Sequence, residues 1–149
     1  MVLARFIDGL SHLWRRLSGS RPEDGRHRLG RRGERLAERH LRAHHFKILY
    51  RNFRAPGGGE VDLVCRDRSC DTLVFVEVKT RRGEDFGAPL EAVDLAKQKL
   101  IARGALAWLR LLDHPEINYR FDMVEVRMHG EAAEIHLIRD AFPLPGPYF

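Results

Sequence analysis

Glu60-Val61-Asp62-Leu63-Val64-Cys65 and Leu73-Val74-Phe75-Val76-Glu77-Val78-Lys79 are two apolar segments separated by the polar run Arg66-Asp67-Arg68-Ser69-Cys70-Asp71-Thr72. Both are rich in β-branched and aromatic residues, and the run between them has the composition that closes a hairpin. A turn centred on Ser69 and Cys70 sets a register that places Asp62 opposite Glu77 and Glu60 opposite Lys79. The same register pairs Val64 with Phe75, Leu63 with Val76 and Val61 with Val78. Because side chains alternate along a strand, Glu60, Asp62, Glu77 and Lys79 are expected to point from one face.

Like charges placed opposite each other weaken a ladder, so these carboxylates need partners. Two arrangements supply them. In one, the hairpin meets solvent at an ion-paired patch, with Lys79 neutralising Glu60 or Glu77. In the other, a divalent cation lies between Asp62 and Glu77, with Lys79 beside it and the Val78 carbonyl as a further oxygen. Mg²⁺ takes a few carboxylate oxygens plus water and substrate phosphate. Lys79 could then orient or deprotonate an attacking water, or offset charge on the phosphate. That second arrangement is what phosphodiester hydrolysis requires.

Upstream, Gly57 to Gly59 let the backbone turn into the hairpin. Phe46 to Phe53 reads as a strand, ending in Arg51-Asn52-Phe53-Arg54. Its arginines could bind phosphate or solvate the strand end. A helix is predicted from Leu29 to His45, with Leu29, Gly33, Leu36, Ala37, His40 and Leu41 as its inward stripe. Glu34 falls at the stripe's margin, either at the edge of the core or as a surface residue favoured by the helix dipole. Ser18 to Arg28, with Gly19, Pro22 and Gly25, reads as a linker. Before it, Leu3, Phe6, Ile7, Leu10, Leu13, Trp14 and Leu17 have helical spacing. Asp8, Ser11 and His12 interrupt that run, which argues against a secretory signal and stable membrane insertion; the helix could touch a membrane surface, and packing on the domain or on a partner is expected.

Downstream, Thr80 to Gly87 reads as a mobile charged loop and Pro89 as the start of a helix reaching Leu112. Its expected stripe is Val93, Ala96, Leu100, Gly104, Ala107, Trp108 and Leu111. Lys97 projects from within that stripe, to snorkel along apolar surface or to reach the metal–phosphate site, and Gln98 lies at the margin. Tyr119 to Arg127 and Ala132 to Ile138 read as strands joined by Met128-His129-Gly130-Glu131. The expected organisation is an N-terminal helix and linker over 1–27, an α/β domain over 28–142 and a proline-rich tail over 143–149.

A chain of 149 residues suits one domain with a real core. Hydrophobic content of 44% and charged content of 32% fit a globular protein rather than a disordered one. A net charge of +5 and a pI near 9.7 point to an anionic partner, nucleic acid first. Two cysteines, Cys65 and Cys70, exclude a disulfide scaffold and a Cys-x-x-Cys zinc site, and reduced thiols in the cytoplasm are expected. His44-His45 lacks the spacing of a metal site.

Gly30-Arg31-Arg32-Gly33-Glu34-Arg35-Leu36-Ala37, Arg51-Asn52, Gly59-Glu60-Val61-Asp62-Leu63, Val74-Phe75-Val76-Glu77-Val78-Lys79-Thr80-Arg81, Phe86-Gly87 and Lys97-Gln98 occur in this order. From about Leu29 to Phe142 the chain resembles the bacterial YraN family, which is similar to the restriction-endonuclease-like PD-(D/E)xK superfamily and to archaeal Holliday-junction resolvases. The resemblance implies one restriction-endonuclease-like α/β domain, a mixed sheet flanked by helices. It also implies an Mg²⁺- or Mn²⁺-dependent endonuclease acting on DNA more than RNA, with a homodimer by analogy with resolvases. Asp62 would be the metal-binding aspartate, Glu77 and Lys79 the Glu-x-Lys pair, and Glu34 the helical glutamate. Arg51, Arg54, Arg81, Arg82 and Lys97 would grip the nucleic-acid backbone. Two departures stand out: a long extension over Met1 to Gly25, and Val61 where isoleucine is usual. The competing reading is a nucleic-acid-binding module that keeps the fold without catalysis.

Overall fold

A computed structural model describes residues 25–83 and 93–146. In chain order the elements are α1 (Gly25–Ala43), β1 (Phe46–Arg54), β2 (Glu60–Asp67), β3 (Thr72–Arg82), α2 (Leu95–Leu111), β4 (Tyr119–His129) and β5 (Ala132–Ile138). The five strands form one sheet in sequence order, antiparallel except between β3 and β4. A parallel pair cannot be joined by a tight turn, and the connection that contains α2 makes the crossover. The result is the expected α/β architecture, a mixed sheet with a helix on each face.

The central strands read as near-continuous apolar runs because both of their faces are covered. Under α1, Ala37 and Leu41 pack on Leu63, Val74, Val76, Val124 and Val126. Under α2, Ile101, Ala105 and Trp108 pack on Phe53, Val61, Val64, Phe75 and Phe121. Phe142 stacks on Phe121 with ring centroids 4.9 Å apart, tying the final segment to this second layer. Two glycines set how closely the layers approach. A Cβ on Gly33 of α1 would fall 1.8 Å from the Thr80 hydroxyl oxygen on β3. One on Gly59 would fall 2.3 Å from the amide nitrogen of Gly104 on α2, so both helices are seated by contacts that only glycine allows.

Several boundaries differ from the sequence reading. Helix α1 begins at Gly25, inside the expected linker, and ends at Ala43, since His45 takes the left-handed φ of 70°. Strand β3 runs through Thr80, Arg81 and Arg82, which were expected in a mobile loop. Parallel pairing with Val126, Arg127 and Met128 of β4 extends it. Helix α2 starts at Leu95 rather than Pro89, capped by Asp94, whose carboxylate accepts from the Lys97 amide at 2.8 Å. Its buried stripe is Ile101, Ala102, Gly104, Ala105, Trp108 and Leu109, while Leu111 is 44% exposed and Ala96 lies outside the core. Both cysteines are free thiols, Cys65 buried and Cys70 exposed. The predicted helix over Met1 to Ser18 and Pro89 itself lie outside the described residues. Among the described residues no helix is long and apolar enough to cross a membrane.

Candidate active site

The hairpin register is the expected one from Asp67↔Thr72 to Leu63↔Val76, and there the ladder stops. The facing pairs Asp62/Glu77, Val61/Val78 and Glu60/Lys79 do not form. Val61 packs in the α2 layer while Leu63 packs under α1, so strict alternation breaks at Asp62. The Asp62 side chain takes over from the ladder, with its Oδ2 accepting from the Val78 amide at 2.8 Å. Strands β2 and β3 therefore part at this end, and the gap between them fills with charged groups.

Glu77 stands at the centre of that gap, its side chain 14% exposed. Its Oε1 lies 3.3 Å from the Lys97 ammonium. Its Oε2 is buried and meets no hydrogen-bond donor among the described residues. Burial, reinforced by the neighbouring charge of Asp62 and opposed by Lys97, pushes the Glu77 carboxyl up to about 8. Glu34 reaches the same gap from α1, where Asn52 donates to its Oε2 at 3.3 Å. Burial and then the Asp62 charge raise this carboxyl too. Asn52 holds a left-handed φ of 52°, a conformation its residue type tolerates.

The cation of the site comes from α2. Lys97 Nζ is 2.5 Å from Glu60 Oε1 as well as 3.3 Å from Glu77. Despite the cost of its own burial, these partners raise the Lys97 pKa. Glu60 is held below the usual carboxylate range, first by the Lys97 hydrogen bond and also by Arg54 at 2.9 Å. Lys97 thus pairs with both Glu60 and Glu77. Lys79 is half-buried on β3, in register with the buried Glu125 of β4.

The remaining basic candidates are placed differently. Arg51 grips Glu38 of α1 through two hydrogen bonds, at 2.8 and 2.5 Å. Arg54 is bound to Glu60, and Arg81 points at Glu125 with a closest approach of 3.8 Å. Arg82 is exposed and lines a cleft of about 720 Å³ with Arg28, Arg32 and His129. Sequence reasoning missed Glu60 as the partner of Lys97, a contact across 37 positions that no local pattern reports.

Asp62 and Glu77 suit a divalent ion, being neighbouring carboxylates that disfavour each other's charge, with one oxygen buried and undonated. Among the described residues no three His, Cys, Asp or Glu side chains make a complete ligand set. The other oxygens would come from the Val78 carbonyl, water and substrate, as is usual for Mg²⁺.

A mixed sheet between two helices, with carboxylates of adjacent strands converging where those strands part, is the arrangement of a restriction-endonuclease-like protein. Residues 33–126 match the model of the uncharacterised protein family UPF0102. The chain belongs to that family, the nuclease-like YraN family that the sequence motifs resemble. It is 44% identical to a UPF0102 protein of Geobacter metallireducens over 116 residues, covering 78% of this chain and 93% of the relative. Identity to the UPF0102 protein of Geobacter sulfurreducens is 46% over 117 residues, 78% of this chain and 89% of that one. A Rhodococcus opacus UPF0102 protein shares 45% over 115 residues, 76% of this chain and 95% of its own length.

Proposed function

We propose that this protein is a divalent-metal-dependent endonuclease that hydrolyses phosphodiester bonds in DNA. The observation that carries the reading is the Asp62–Glu77 pair, with Glu77 Oε2 buried and undonated. A carboxylate held so is unfavourable unless a cation joins it. Asp62 and Glu77 would hold Mg²⁺ or Mn²⁺, which when bound polarises a phosphate oxygen and acidifies water. Glu34 serves as an outer carboxylate, oriented by Asn52. Lys79, further along β3, steadies the phosphate or takes a proton from the attacking water. Lys97 keeps Glu60 and Glu77 from repelling each other and fixes the Glu77 carboxyl in place.

The test is cleavage of labelled linear duplex, single-stranded and four-way-junction DNA with Mg²⁺ or Mn²⁺, wild type beside Glu77→Ala. Wild type is expected to cut, and the variant to lose at least about 10²-fold, the equivalent of roughly 3 kcal/mol of transition-state stabilisation. Equal cutting by both would trace the activity to a contaminant. A second reading, a nucleic-acid-binding protein that retains the nuclease fold, is favoured by one contact: the Lys97 ammonium already supplies positive charge to Glu77. Binding by wild type with no cleavage under any metal would decide for it.

A further inference from the structure

We infer that the outer face of α1 is a track for the phosphate backbone of the nucleic acid, leading a strand into the carboxylate site. The inference rests on the nuclease reading for the identity of the occupant. Arg28, Arg31, Arg32, Arg35 and Arg39 fall within a stripe about 100° wide on the helical wheel. They lie opposite Ala37 and Leu41, which are fully buried against the sheet. Arg28 to Arg39 spans about 16 Å at 1.5 Å per residue, the length of roughly five phosphates on one strand.

The stripe is bordered by clefts that share its arginines. One of about 620 Å³ is lined by Arg28, Arg31, Arg32, Arg35, Leu36 and Arg39. At one side it shares Arg28 and Arg32 with the larger cleft that contains Arg82. At the other it shares Arg31 and Arg35 with a cleft of about 300 Å³ lined by Glu34, Glu38, Arg51 and Leu63. Glu34, which like Glu77 feels the charge of Asp62, lines that cleft beside Arg31 and Arg35, so the arginine surface adjoins the candidate active site.

Charge alone would also suit an anionic membrane. A helix that binds in a membrane interface needs large apolar side chains to insert. Among the described residues the exposed large hydrophobics are Leu95, Leu111 and Leu144, none of them on α1. Arg35 and Arg39 meet no carboxylate among the described residues, and α1 has only Glu34 and Glu38 as acidic residues, both turned toward the site and Arg51. The surface fits a flexible polyanion of regular charge spacing.

Binding of single-stranded and duplex DNA in EDTA, from 50 to 300 mM salt, tests the track without requiring catalysis. The quadruple variant Arg28→Gln, Arg31→Gln, Arg35→Gln and Arg39→Gln is compared with wild type. A charge-matched control carries Arg68→Gln, Lys99→Gln, Arg103→Gln and Arg110→Gln, all at exposed positions elsewhere. Circular dichroism melts confirm that each variant is folded. The track predicts that the quadruple variant loses about 3 in the slope of log K against log salt, at roughly 0.7–0.9 per phosphate contact, and the control loses less than 1. Equal losses in the two variants, an unchanged slope in the quadruple variant, or no binding by wild type at 50 mM salt would overturn it. So would anionic phosphatidylserine vesicles bound in preference to DNA. Wild type that binds through the track yet never cleaves would sink the nuclease reading alone; wild type that cleaves while the quadruple variant binds unchanged would sink the track alone.

Discussion

The two ends of the β2–β3 hairpin both bury carboxylates, and they treat them in opposite ways. Asp67 at the turn end and Asp122 on the neighbouring β4 are fully buried, and arginines answer both. Arg120 donates to Asp122 at 2.8 and 2.9 Å and to Asp67 at 2.8 Å; Arg139 adds a bond to Asp67 at 2.5 Å. Ser69 donates twice more to Asp67, and the Asp140 amide donates to Asp122. Despite the cost of burial, these donors hold Asp67 well below the usual carboxylate range. At the open end, about 17 Å along the strand, Glu60, Asp62 and Glu77 gather around Lys97, Glu34 adjoins Asp62, and Arg54 is ion-paired to Glu60. There Glu34 and Glu77 are raised, and one buried oxygen meets no donor among the described residues. A saturated network serves the fold. An unsaturated one is unfavourable for the fold and is retained where a ligand completes it.

The largest effect is expected from breaking the saturated end. Arg120→Ala leaves Asp122 with only the Asp140 amide and halves the arginine donors to Asp67. Removing one partner of a buried charge network costs about 3–5 kcal/mol. Urea unfolding of wild type and Arg120→Ala should show that loss as a lower midpoint at unchanged slope. A loss below about 1 kcal/mol would mean that water already reaches these carboxylates, and the contrast between the ends would fail.

Next in size is completion of the unsaturated end. A cation that binds the native state alone stabilises it by about 2.7 kcal/mol when present at a hundred times its dissociation constant. Mg²⁺ or Mn²⁺ should therefore raise the melting temperature of wild type and leave that of Asp62→Ala unchanged. A shift of the same size in both proteins would place the ion somewhere other than between Asp62 and Glu77.

How much of this contrast the chain discloses before folding depends on the range of the interactions. The strands and the register from Leu63 to Asp67 were legible because hairpin pairing is local and the side-chain period is fixed. The α1 stripe was legible at Gly33, Ala37 and Leu41 for the same reason. Helix α2 was misphased because Leu100 beside Ile101 and Ala107 beside Trp108 fit several wheel positions, and only packing on Phe53 and Phe75 selects one. The end of the ladder after Leu63 had no local signal, since Asp62 replaces a backbone partner with its side chain. Glu34 was ambiguous on the wheel and gained a site only through family resemblance; the structure gives the physical link, its shared field with Asp62. Lys97 and Glu60 were each singled out, but their pairing was not, and the Asp67–Arg120–Asp122–Arg139 network joins segments too distant for any pattern.

The pH dependence is the sharpest probe, because its sign differs between the two ends. Glu77 in the metal-free protein titrates at about 8, against 4.5 for its ordinary value. Between those two pH values the unfolded chain has released the proton and the folded one has kept it. The unfolded state then binds fewer protons, so stability falls as pH rises through that window, by at most about 1.4 kcal/mol per pH unit. Asp67 does the reverse: its depressed carboxyl contributes stability at neutral pH and loses it only in strong acid. Glu77→Gln keeps the shape, removes the charge and should flatten the metal-free stability profile between pH 5 and 8, making the variant the more stable protein at pH 8. Urea midpoints across that range, in EDTA, measure it directly. If wild type and Glu77→Gln run parallel from pH 5 to 8, Glu77 is already neutralised by Lys97. The open end would then be as saturated as the closed one, and the argument for a missing cation would lose its physical basis.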